Sequence, residues 1–118
     1  MQTPAVYDLQ TEKLAHPDER AFTVGTEADV RTPIAQPWGN RGGIGNIQRL
    51  LADVESHHAR VSIEPDGARI VPQGRTATVY VDRHRVEDEG RRLRSGETVV
   101  LGRGKSDLWE GYRLQLFF

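Results

Sequence analysis

The sequence predicts an all-β sandwich, and three observations carry that reading. Apolar residues recur mostly at period two, in short runs. Twelve glycines and six prolines supply turns and argue against long helices. The runs follow one another at spacings of 8–15 residues, close to the rhythm of a two-sheet sandwich.

Taken in order, AVYDLQ (5–10) alternates like a first strand, and HPDER makes a turn-like break. AFTVGT (21–26) is a clear second strand. ARVSIEP (59–65) alternates and stops at Asp66-Gly67, a strong hairpin turn, so ARIVPQ (68–73) is its returning partner. ATVYVD (77–82), ETVVLG (97–102) and YRLQLFF (112–118) complete about seven strands. Two regions break the pattern. DVRTPIAQPWGNRGGIG (29–45) reads as a long loop, and long loops in compact domains are often functional. In NIQRLLADVESHH (46–58), Ile47, Leu50, Leu51 and Val54 fit helical spacing, so spacing alone suggests a short helix.

A chain of 118 residues fits one domain, here 1–118. Its net charge of −1 excludes a general polyanion binder, so no nucleic-acid partner is expected. Fourteen of the 16 basic residues are arginine, which codon bias explains as readily as function. No cysteine is present, which removes disulfides, thiolate nucleophiles and cysteine-ligated metal. That suits a reducing cytoplasm. No apolar run approaches the ~18 residues of a membrane span. The start MQTPAVYDLQ lacks the basic and apolar pattern of a secretion signal.

The pieces together resemble the forkhead-associated (FHA) domain, a phosphothreonine-reading β-sandwich of eleven strands in two antiparallel sheets. Val24-Gly25-Thr26 lies over the family's I-G-R. NIQRLLADVESHHARV (46–61) lies over D-I-x-L through S-R-x-H-A-x-I without a gap. RTATVYVDR (75–83) lies over S-x-N-G-T-Y-V-N-G, and LRSGETVVLG (93–102) over L-x-x-G-D-x-I-x-L-G. The last is the most specific piece, and the resemblance spans nearly the whole chain. It implies that 46–58 is extended and looped rather than helical. It also makes 29–45 an insertion at the apex of the sandwich, and suggests one domain of a longer chain.

The departures concern binding. The family's phosphate-contacting arginine falls on Thr26, its phosphate-donating serine on Glu55, and its peptide-holding asparagine on Ala77. The following glycine and threonine fall on Thr78 and Val79. A lost arginine fork removes two charge-assisted hydrogen bonds of about 1.5–3 kcal/mol each. A carboxylate at 55 repels a phosphate carrying about −1.5 to −2 charge. The positions that the resemblance makes structural are kept: Gly25, His58, Ala59, Gly96 and Gly102.

The expectation is therefore a cytoplasmic, non-catalytic interaction or scaffold module that has lost phosphothreonine recognition. Its partner would be another protein or another domain of the same chain. A phosphopeptide is not the expected ligand, and self-association stays open. The alternative is a phosphopeptide-binding signalling domain with a rebuilt anion site from Arg41, Arg75 and Ser56, helped by His57. The apical binding candidates are Thr26, Trp38, Arg41, Glu55, Ser56, His57, Arg75, Thr76 and Thr78. Trp38 is an interface anchor or a lid over the sandwich end.

Other patterns carry less. GRGKSD (102–107) has Val99 where a Walker loop needs glycine. RGGIGN (41–46) opens no βαβ unit. Glu55, His57 and His58 do not make a metal set, because adjacent residues of a strand point to opposite faces. Ser56 and His58 lack a nucleophile elbow. The mixed-charge run DRHRVEDEGRRLR (82–94) reads as an exposed loop. No cofactor and no catalytic residue is expected.

Overall fold

A computed structural model describes residues 3–34, 49–103 and 111–118. It holds eleven strands in two sheets packed face to face. The strands are β1 (Ala5–Asp8), β2 (Lys13–Ala15), β3 (Ala21–Gly25), β4 (Val30–Arg31), β5 (Ala59–Glu64), β6 (Gly67–Pro72), β7 (Ala77–Val81), β8 (His84–Arg85), β9 (Arg91–Leu93), β10 (Thr98–Arg103) and β11 (Tyr112–Phe117). One sheet has six strands in the order β2-β1-β11-β10-β7-β8. The other has five, in the order β4-β3-β5-β6-β9.

Period-two patterning builds the core. Val6, Val79, Val81, Val99, Leu101, Leu114 and Leu116 point inward from the six-stranded sheet. Phe22, Val24, Ala59, Val61, Ala68 and Ile70 answer from the other. All seven strands expected from alternation are present. Asp66-Gly67 closes the β5–β6 hairpin, whose register pairs Glu64 with Gly67.

Four further strands were not in the alternation. β2, β4, β8 and β9 have two or three residues, too few to show a period. β8 and β9 correct the reading of 82–94 as a plain loop, and the β3–β4 pairing is parallel. β1 also stops at Asp8, two residues before the run AVYDLQ ends. There the Asp8 carboxylate and carbonyl gather the amides of Gln10, Thr11 and Glu12 into a turn. Residues 49–51 form one helical turn, with Leu50 and Leu51 packed on the core. The extended reading of 46–58 is therefore corrected at those residues, because two adjacent leucines reach the core best from a helical turn. Of the 29–45 insertion, β4 and the segment to Ile34 are described, and the rest lies outside the described residues.

The strand registers define two ends. Val24, Ala59 and Pro72 lie side by side at one end, so the connections after β3, before β5 and between β6 and β7 gather there. This end is the apex of the sandwich.

Candidate functional site

The apex is tied together by backbone first. Thr26 and Glu27 donate their amides to the carbonyls of Glu55 and Ser56, each at 3.1 Å. Gly25 makes that approach feasible, since a Cβ at position 25 would lie 2.3 Å from the Ser56 carbonyl oxygen. On the other side, Gln73 donates to the carbonyl of His58 at 3.0 Å. Two loops thus converge on the segment 55–58.

His58 is the hub. It is fully buried, its Nε2 lies 2.9 Å from the Thr78 carbonyl, and its Nδ1 lies 3.1 Å from the Glu55 amide. A carbonyl only accepts and an amide N–H only donates. The ring is therefore the neutral tautomer with its proton on Nε2. Burial holds its pKa below the usual histidine value, opposed by the Thr78 hydrogen bond and the nearby Glu55 charge. The sequence assigned His58 a structural role, and these contacts are consistent with one.

Glu55 turns its carboxylate across to the β6–β7 loop. Its Oε2 accepts the Thr76 amide at 3.0 Å and the Thr76 hydroxyl at 3.4 Å. Gly74 leaves room for this, because a Cβ there would sit 2.1 Å from that same oxygen. Both donors of Thr76 are thus turned toward an anion that belongs to the chain itself.

Around this contact, Ser56, His57, Arg75 and Thr76 are exposed and Thr26 is half-buried. Thr78 is buried, and its hydroxyl has no partner among the described residues. Its carbonyl holds His58, and its side chain does not reach the surface. Trp38 and Arg41 lie outside the described residues. Gly96 sits in the β9–β10 turn with φ +91°, and Gly102 lies buried in β10 opposite Thr78. The described residues include no group of three or more side chains able to hold a metal.

Two residues escaped the sequence reading. Gly74 carries no local signal, since its need arises from Glu55 in another loop. Asp8 does carry one: period two places it on the inward face with Val6. It is fully buried, and its Oδ1 accepts Gln10 and Thr11 while Oδ2 accepts the Ile34 amide and the Tyr112 hydroxyl. Burial and the Asp8 carboxylate push the Tyr112 phenol well above its usual pKa. The network pins the chain entering the insertion to β1 and β11.

The sequence matches the profile of the FHA domain over residues 41–102, just over half of the 118. No curated protein matches it. Among solved structures, the N-terminal FHA domain of S. cerevisiae Rad53p, in complex with a phosphothreonine peptide, superposes with a TM-score of 0.65 at 11% identity. That alignment covers 99% of this chain and 94% of the other. The FhaA FHA domain, complexed with the intracellular domain of Rv3910, gives 0.63 at 14% identity over 97% and 99% of the two chains. Rv1747 FHA-1 of Mycobacterium tuberculosis gives 0.58 at 16% identity over 98% and 94%. At such identities the likeness is one of fold. No helix among the described residues is long and apolar enough to cross a membrane.

Proposed function

This chain belongs to the FHA-domain family, and on that premise we propose that it is a non-catalytic protein-interaction module that does not read phosphothreonine. One observation carries the proposal: the Glu55 carboxylate already accepts the Thr76 amide and hydroxyl. An incoming phosphate would meet a like charge and find those donors occupied. Thr26, where the family has its arginine, offers no compensating cation. The relatives' phosphothreonine peptides belong to those proteins, and this apex supports a different kind of partner: another protein, or another domain of the same chain. A cysteine-free chain suits a cytoplasmic setting.

A second reading has one observation in its favour. The Glu55–Thr76 contact brings their neighbours Ser56 and Arg75, both exposed, to the same apex. A rebuilt anion site from Ser56, Arg75 and Arg41 would use them. Titration calorimetry against a phosphothreonine peptide library separates the readings. The proposal expects no dissociation constant in the micromolar range. Micromolar binding that Arg41→Ala with Arg75→Ala abolishes would establish the rebuilt site instead.

A further inference from the structure

The β5–β6 hairpin turns at the end of the sandwich opposite the apex, through Pro65 and Asp66. Asp66 is the one aspartate of the sequence that glycine follows. Every other aspartate precedes leucine, valine, glutamate or arginine, and no asparagine precedes glycine. This neighbour decides how readily a backbone amide attacks the side-chain carboxyl before it. A Cβ on the attacking residue shields its nitrogen, and glycine has none.

The fold leaves this pair open. The Asp66 side chain is 66% exposed and lines two clefts of about 390 and 490 Å³, so water reaches it freely. Around Gly67, a Cβ would meet nothing closer than the Leu93 carbonyl oxygen at 3.4 Å. One side chain restrains the carboxyl. Arg92 Nη2 donates to Asp66 Oδ2 at 2.6 Å, and the same nitrogen lies 3.8 Å from Glu64. Arg92 is delivered by β9, whose register with β6 sets it beside Arg69. A charge-assisted hydrogen bond this short fixes the direction in which the carboxyl points.

We infer that Asp66-Gly67 is a site of spontaneous aspartyl isomerisation and that Arg92 slows it. The Gly67 nitrogen bonds to Asp66 Cγ, and the carboxyl's OH leaves with the amide proton as water. The product is a cyclic imide. Water then opens the ring at either carbonyl. Opening at the side-chain carbonyl returns aspartate, and opening at the main-chain carbonyl of Asp66 leaves an isoaspartyl link. The chain then runs through Cβ and Cγ and is one atom longer. The connection has two residues between the paired Glu64 and Gly67, so that atom disturbs the register there first. Glu55 and Thr76 lie at the other end, so the inference does not depend on what the apex binds.

The test ages the folded full chain for weeks in neutral buffer at physiological temperature. Isoaspartyl content is read by methyl transfer from S-adenosylmethionine with an isoaspartyl methyltransferase. Its position is read with endoproteinase Asp-N, which does not cut before an isoaspartyl residue. The parent is expected to gain label in the peptide that carries position 66. Arg92→Ala is expected to gain it about two- to fivefold faster, the scale of one exposed ion pair. Arg92→Lys, which replaces the planar fork with a single ammonium, should fall between them. Asp66→Glu should gain none there, because glutamate must close a larger ring. In urea, where the hairpin and its ion pair are gone, the parent and both arginine variants should convert at one rate. No label at position 66, or equal labelling of the other aspartates, would overturn the inference. So would equal rates for the parent and both arginine variants in buffer. A variant that is also faster in urea would overturn the role of Arg92, since the effect would then arise without the ion pair.

Discussion

The His58 imidazole makes both of its hydrogen bonds only while it is neutral, because a proton on Nδ1 would face the Glu55 N–H. Its folded pKa is lowered chiefly by burial. The unfolded chain therefore binds a proton in a range where the folded chain does not, and stability rises with pH there. The contribution is complete above the unfolded value near 6.5 and is lost as pH falls below it. Urea midpoints measured from pH 7.5 down to 5 should decline, at a slope of at most ~1.4 kcal/mol per pH unit from this group. In His58→Gln, which is less stable throughout, that decline should flatten. A variant with the same slope as the parent would show that another group is responsible. His58 and Ala59 were legible in the sequence because they sit in a motif-like string and start an alternating strand. The partner of Glu55 was not. Thr76 lies 21 residues away, and nothing local says which loop a carboxylate will turn to.

Elements meet at the apex through that carboxylate, and Gly74 sets the terms of the meeting. Alanine at 74 would put its Cβ 2.1 Å from Glu55 Oε2, so Glu55 must swing away and release Thr76. Gly74→Ala is expected to cost about 1 kcal/mol, the scale of a lost hydrogen bond. Glu55→Ala is expected to cost a similar amount. The double variant should be less destabilised than the sum by at least ~0.5 kcal/mol, since both remove one contact. Additive costs would mean that the two positions act separately. The strands that sequence reading missed belong to this scale too. His84–Arg85 and Arg91–Leu93 are short edge segments rich in charge, and their strand character comes from the neighbours they pair with, Tyr80–Val81 and Ala68–Ile70. The helical turn at 49–51 was visible in the spacing of Leu50 and Leu51, and following the family pattern over that spacing hid it.

Across the whole molecule, Asp8 connects parts that no single element joins. One oxygen organises the turn after β1, and the other holds the Ile34 amide and the Tyr112 hydroxyl. Tyr112→Phe keeps the ring in the core and withdraws one donor from a fully buried carboxylate. The expected cost is about 1.5–3 kcal/mol, seen as a lower urea midpoint at unchanged m-value. A change within error would show that water replaces the hydroxyl. The fold class was legible because apolar alternation is a property of long strands such as β5, β6, β10 and β11, where six residues suffice to show it.

The pairing of β1 with β11 places Ala5 opposite Phe117. β11 also lies between β1 and β10, so the six-stranded sheet has a gap until it arrives. On the ribosome, residues 112–117 are made after every other strand. The hairpin of β1 and β2 must wait through that interval with Val6 facing water, and closing so long a loop adds entropy to the barrier. Nascent chains lacking the last strand would therefore carry an unfilled slot in one sheet while the other, from β3 to β9, has all its members.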